Sequence, residues 1–196
     1  MVRQDTARDL ELIELIQPLH AFKWECHFEW WRLEKALYEL GNDYGGFDLT
    51  PDFQRGHVWT TEQQVRFIES CIRGVVPSSG YLIQFNCANW GLDEAETDLP
   101  RGLQCVDGLQ RYTAVTKFMR GEIKAFGMTF DEFEDTRFRT RRNTVRVAIL
   151  DFTSRADLLS HYLAFNSGGT VHPIEEIERV QKMRDEALCK KSLPTS

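Results

Sequence analysis

The chain has 196 residues, 42% hydrophobic and 28% charged, with a formal net charge of −6. This is the make-up of one soluble globular domain, or one with a small appendage, and the acidic balance excludes a protein that coats nucleic acid through bulk charge. No stretch approaches the ~20 apolar residues of a membrane span, the polar start Met1-Val2-Arg3-Gln4-Asp5 lacks the apolar core of a secretory signal, and five scattered cysteines without a Cys-x-x-Cys argue against a disulfide scaffold or a zinc site of standard spacing. A reducing cytoplasm is the compartment expected.

Residues 7–40 read as two helices broken near Pro18, because Leu10, Ile13 and Ile16, then Trp24, Phe28 and Trp31, recur at helical spacing. The cluster Trp24, Trp30 and Trp31 suits either core or a base-stacking platform. Cys26-His27 is a poor metal pair, since adjacent helical side chains diverge.

Gly41–Gly46 is a turn, Phe47-Asp48-Leu49 a short strand stopped by Pro51, and 53–56 a loop. Thr60 and Thr61, with Gln63 and Gln64 three residues on, form a capping-box signal for a helix over 61–73. Val65, Ile68 and Ile72 are its buried stripe, and Gly74 its stop. Tyr81–Phe85 reads as a strand, and 86–101 as a polar surface loop.

Leu103–Val106 is the next strand, and it runs into Val106-Asp107-Gly108-Leu109-Gln110-Arg111-Tyr112-Thr113, followed by a helix to Met119. Strand, glycine turn and helix start are the parts of an anion site. Free N–H groups and the positive end of the helix dipole lie there, glycine allows close approach, and Arg111 adds a forked cation. The competing reading is a structural turn with its arginine tied to a neighbouring acid.

Residues 122–143 read as irregular, anchored by Phe126, Phe130, Phe133 and Phe138. Val145–Ile149 alternates like a strand. Ser154 can cap a helix over 155–165 with Leu158, Tyr162 and Phe165 inward, broken by Asn166-Ser167-Gly168-Gly169. Pro173 and Glu175, Glu176 and Glu178 open a last helix to about 188. The class is α+β, with a small mixed sheet surrounded by helices.

Three boundary segments share a phosphate-suited character: Pro51-Asp52-Phe53-Gln54-Arg55, Asp107–Arg111 and Asn166-Ser167-Gly168-Gly169-Thr170. Extended to Pro-Asp-Phe-Gln-Arg-Gly-His-Val-Trp at 51–59, and taken in order, they resemble the N-terminal domain family of GmrSD-type modification-dependent restriction enzymes. The motifs of that family look like Pro-x-Phe-Gln-Arg-x-x-Val-Trp, Asp-Gly-Gln-Gln-Arg-Leu-Thr and Asn-x-Gly-Gly. The resemblance spans roughly 47–185 and implies a ParB/sulfiredoxin-like fold that binds, and in characterised members hydrolyses, an NTP while sensing modified DNA.

Carried over by position, Gln54 and Arg55 would contact phosphate or base. Gly108, Gln110 and Arg111 would hold phosphates, and Asn166, Gly168 and Gly169 would close the site. Asp107 and Arg111 are the catalytic candidates. ATP, GTP or CTP, with Mg²⁺, is the implied ligand. The expected organisation is an N-terminal helical segment at 1–46, a nucleotide-binding domain at 47–188 and a frayed tail at 189–196.

Leu109 stands where the family usually has Gln, which takes one amide from the site. No His-Asn-His pattern or Walker-type loop is present, so cleavage of DNA by these residues and P-loop chemistry are not expected. A nickase ranks last for want of metal ligands. A stand-alone domain of this kind suits a phage or mobile-element protein that meets DNA or a host or defence protein, with or without turnover.

Outside the motifs, Arg137, Arg139, Arg141, Arg142 and Arg146 are the one basic concentration. They suit a nucleic-acid backbone, or else a solvated face paired with Glu132, Glu134 and Asp135. His57, His161 and His172 are general-base candidates set against structural roles. Glu69 is a candidate Mg²⁺ ligand set against an exposed helical carboxylate.

Overall fold

A computed structural model describes residues 6–16, 21–91, 96–167 and 174–191. In chain order its elements are α1 (Ala7–Ile16), β1 (Trp24–Glu29), α2 (Trp30–Tyr44), β2 (Phe47–Asp48), α3 (Thr61–Arg73), a 3-10 turn (Ser78–Tyr81), β3 (Leu82–Asn86), β4 (Leu103–Asp107), α4 (Leu109–Met119), α5 (Phe130–Glu134), β5 (Thr144–Leu150), α6 (Arg155–Ser167) and α7 (Ile174–Lys191). The class is α+β. The sheet runs β1-β5-β3-β4-β2 and is mixed: β5/β3 and β4/β2 are parallel, β1/β5 and β3/β4 antiparallel. No helix among the described residues is long and apolar enough to cross a membrane.

Each strand sends alternate side chains to opposite faces, so the sheet feeds two cores. Ile83, Phe85, Leu103, Cys105, Val145, Val147 and Ile149 join Trp30, Leu33 and Leu37 of α2, Ile68 of α3 and Val115 and Phe118 of α4. The other parity supplies Val106 and Leu150 to a smaller core with Phe53, Leu158, Leu159, Tyr162 and Val180. Helices α2 to α4 thus cover one face, and α6 and α7 the other. Cys71, Cys87 and Cys105 are buried and no described cysteine forms a disulfide.

Two expectations are corrected. Residues 24–29 form a strand, not part of a helix: Trp24, Cys26 and Phe28 are more buried than Glu25 and His27, a period of two. The strand pairs with β5, Trp24 opposite Ile149 and His27 opposite Arg146, and so closes one sheet edge. The helix begins only at Trp30, whose buried stripe is Trp30, Leu33, Leu37 and Gly41. In the segment expected to be irregular, Thr129 caps α5 through a box with Glu132, and Phe133 is buried beneath it.

The tryptophans divide between the two readings. Trp30 is buried and Trp24 is packed against Trp90 and Phe28, whereas Trp31 is 45% exposed. The capping box of α3 forms between Thr60 and Gln63, and Gly74 ends the helix in the left-handed region.

Candidate functional site

The octet is built as strand, turn and helix. Asp107 ends β4, Gly108 turns at φ 99°, and α4 starts at Leu109. Gly108 packs directly on β3: a Cβ there would sit 2.9 Å from the Ile83 Cα. The N–H of Tyr112 returns to the Gly108 carbonyl, and the Leu109 N–H reaches the Cys105 sulfur. Among the described residues the N–H groups of Gln110 and Arg111 have no acceptor. These are the orphan donors of a helix start, where the dipole favours an anion.

The Arg111 guanidinium folds back onto the Asp107 carboxylate. Both side chains are mostly covered, and the Arg111 Nε is buried with no partner among the described residues. The structural reading of the octet is therefore present in this state, and one guanidinium N–H is still unspent. Cys105 beneath it is pushed up to about 12, first by burial and then by Asp107, so it stays a neutral thiol.

Leu109 is 5% exposed and belongs to the first core. The position that departs from the family pattern therefore serves packing here.

The first motif is fastened to the octet by amides. The Gln54 N–H closes a turn onto the Pro51 carbonyl at 2.8 Å, while its Nε2 donates to the Val106 carbonyl at 3.2 Å. The Tyr162 hydroxyl donates to Gln54 Oε1 at 3.5 Å. Gln110 reaches the other way. Its Oε1 accepts the N–H groups of Val58 and Trp59, each at 3.0 Å, and its Nε2 donates to the Gly56 carbonyl at 3.1 Å. Both glutamines, expected as ligand contacts, thus have their amides engaged within the protein, Gln110 wholly by backbone and Gln54 by the Val106 carbonyl and the Tyr162 hydroxyl. They hold the 51–59 loop against the octet.

Arg55, between these clamps, is half-buried and makes no hydrogen bond or ion pair among the described residues. It lies close enough to Tyr162 to act on its hydroxyl, as do Glu176, Arg179 and Asp107. Burial and the Glu176 carboxylate push that hydroxyl up to about 12, while Arg55 and Arg179 pull it down. Tyr162 is thus a neutral hydroxyl within electrostatic reach of Arg55, Arg179, Glu176 and Asp107.

Sequence reasoning missed three members of this framework. Arg179 of α7 donates to the Asp52 carbonyl at 2.7 Å and the Phe53 carbonyl at 2.8 Å, and is itself held by Glu176 at 2.8 Å. Arg155 holds the Asp52 carboxylate at 2.7 Å. Gln84, opposite Asp107 in the sheet register, is fully buried with both amide atoms unpartnered among the described residues. An uncompensated amide in the apolar run Tyr81-Leu82-Ile83-Gln84-Phe85 was a readable signal.

The third motif is only partly in view. Asn166 lies in α6, where its Nδ2 donates to the Tyr162 carbonyl at 2.8 Å, and the helix runs on to Ser167 rather than stopping near 165. Gly168, Gly169, Thr170 and His172 lie outside the described residues. His57 is exposed and bonded to Gln64 at 2.7 Å, and His161 is buried against Phe152 and Phe165.

Glu69 has one carboxylate oxygen engaged by the backbone. Its Oε1 accepts the N–H of Phe126 at 2.8 Å, which steadies a residue at φ 52°. No group of three or more His, Cys, Asp or Glu among the described residues could hold a metal ion. Asp107, the octet's one carboxylate, is paired with Arg111.

Arg137, Arg139, Arg141 and Arg142 are all exposed. Only Arg141 pairs with an acid, Glu134 at 3.9 Å, and it also lies over the Trp31 ring at 5.0 Å; Arg137 lies over Phe138 at 5.2 Å. Arg137, Arg139 and Arg142 make no ion pair among the described residues. Glu132 is spent on capping Thr129.

These features define a small α+β domain that presents a glycine-turned helix start and two arginines at one end of a mixed sheet. The chain belongs to the family described as GmrSD restriction endonuclease, N-terminal domain, whose model matches residues 36–190. No curated protein and no solved structure gave a match.

Proposed function

We propose that the chain binds a nucleoside triphosphate by its phosphates at the start of α4. The observation that carries this is a set of donors with no partner among the described residues: the Gln110 and Arg111 N–H groups and the Arg111 Nε at the start of α4, and the Arg55 guanidinium on the loop clamped against it. A buried donor without a partner, as the Arg111 Nε is among the described residues, is costly, and an anion at a helix start satisfies it together with the helix N–H groups. Gly108 gives the turn its left-handed backbone and its close packing on Ile83, which set where α4 starts. Asp107 holds Arg111 until a phosphate competes for it. Once parted, the carboxylate can orient water and the guanidinium can steady charge on a phosphoryl group, which makes this pair the candidate for turnover. Mg²⁺ would arrive with the triphosphate as its counter-ion.

Thermal unfolding with ATP, GTP and CTP in turn, with Mg²⁺, tests the reading. At a hundredfold excess over Kd one of them should stabilise by about 2.7 kcal/mol, or roughly 5–10 °C in Tm for a chain of this size. Arg111→Ala should abolish the shift. No shift with any nucleotide, or a full shift in the variant, sinks the assignment.

A second reading rests on a different observation, the exposed arginine and aromatic surface at Trp31 and 137–142, where Arg137, Arg139 and Arg142 make no ion pair among the described residues. We infer that this face contacts a nucleic-acid backbone, the DNA-facing side of a domain from a restriction context. The double variant Arg137→Ala/Arg139→Ala should weaken duplex binding and flatten the slope of log K against log salt by about 0.9 for each phosphate that is no longer neutralised. An unchanged slope would remove this face from the interface.

A further inference from the structure

At the start of β5 lies a cleft of about 510 Å³ lined by His27, Cys71, Val76, Tyr81, Arg142, Asn143, Thr144 and Arg146. Its volume is that of a small-molecule site. Its charge is selected against the rest of the chain: acids outnumber Lys and Arg by 30 to 24 overall, yet the lining has two arginines, a histidine and no carboxylate. Tyr81 and Cys71, in hydrogen-bond contact, are both held protonated by burial and add no negative charge.

The three anion-suited side chains are placed by the fold. His27 and Arg146 are directly opposite in the antiparallel β1/β5 pair, so both project from the same face. Arg142 comes from the turn leading into β5, fixed by the Asn143 N–H to the Thr140 carbonyl at 2.9 Å and the Trp30 N–H to the Asn143 carbonyl at 2.8 Å. The acid that competes is Glu25, 3.8 Å from an Arg146 Nη, too long for a good hydrogen bond. The Arg146 Nε is buried and has no partner among the described residues.

We infer that this cleft is a second anion site, taking a phosphate group between Arg142, Arg146 and His27. Arginine forks and an imidazole match phosphate oxygens, and the Tyr81, Val76 and Cys71 wall accepts the apolar part of a phosphate ester. The site is separate from the octet. β3 lies between β4 and β5, which puts the two about 10 Å apart along the sheet. It does not depend on nucleotide binding at the octet, and with the 137–142 face it shares only Arg142.

The test is titration of the whole protein with inorganic phosphate at constant ionic strength, followed by the NMR signal of the His27 ring, assigned by its loss in His27→Gln. The signal should shift and saturate. Arg142→Ala, an exposed change that spares the fold, and Arg146→Ala should each weaken that binding at least tenfold, while Arg111→Ala leaves it unchanged. A still His27 signal, unchanged affinity in Arg142→Ala, or loss in Arg111→Ala alone overturns the site. Repeating the titration with a 5′-phosphorylated oligonucleotide and its unphosphorylated twin names the source. Tighter binding of the former than of inorganic phosphate assigns a strand end; equal affinity assigns a free phosphate.

Discussion

Gly108→Ala is expected to destabilise the domain by about 2–5 kcal/mol, from about 1–2 for an L-residue forced to positive φ and about 1–3 for overpacking. The backbone there stands at φ 99°, and the added Cβ would meet the Ile83 Cα at 2.9 Å and its Cγ1 at 3.0 Å. Relief by a rotamer change is impossible, because the clash is with backbone at the centre of the sheet. Relief by lifting the turn would pull Asp107 away from its partner Gln84 on β3 and Leu109 out of the first core. Against a domain stability of about 5–15 kcal/mol, the loss is large. Urea unfolding of the variant measures it. A loss under ~1 kcal/mol would mean that the turn is free to shift, and that packing on Ile83 is not what holds it.

That result bears on how the octet is to be read. Its glycine has a structural duty, tight packing on Ile83, and its arginine has one too, pairing with Asp107. Neither duty uses up the Gln110 and Arg111 N–H groups or the Arg111 Nε. A turn can be structural and still leave its donors facing a ligand. The two readings of the sequence are therefore not exclusive.

Local signals were legible wherever neighbours in sequence decide the outcome. The Thr60–Gln63 box, the Gly74 stop and the strand–glycine–helix octet all form as their residues suggest. The Thr129–Glu132 box obeys the same rule but is masked by the phenylalanines around it. Residues 24–29 misled for a physical reason. Phe28 lies four residues after Trp24, as on a helix face, and also two pleats after it, as on a strand face. The strand passes into α2 with no turn residue between them, so only pairing with β5 decides. Arg179 and Gln110 were illegible as clamps because their partners lie 126 and 52 residues away in sequence and are backbone atoms, which carry no side-chain signature.

Phe53→Ala should cost about 3–5 kcal/mol, the range for emptying a large aromatic site. The ring is fully buried, edge-on to Tyr162 at 5.5 Å between centroids, and surrounded by Val106, Leu158 and Val180. Its neighbours in the motif have different duties. Gln54 ties the turn to β4, and Arg179 grips the carbonyls of Asp52 and Phe53. Arg55 alone has no partner among the described residues, so Arg55→Ala should leave stability within about 0.5 kcal/mol while lowering nucleotide affinity. The adjacent pair thus separates fold from ligand: urea unfolding should report Phe53→Ala and pass over Arg55→Ala, and nucleotide-dependent stabilisation should fail in Arg55→Ala although its fold is intact. If Arg55→Ala instead keeps the full nucleotide shift, the motif is only a plug and two clamps, and the phosphate cradle must be sought without it. If Phe53→Ala loses less than about 1 kcal/mol, the second core does not fix the loop, and its apposition to the octet cannot be what positions Arg55.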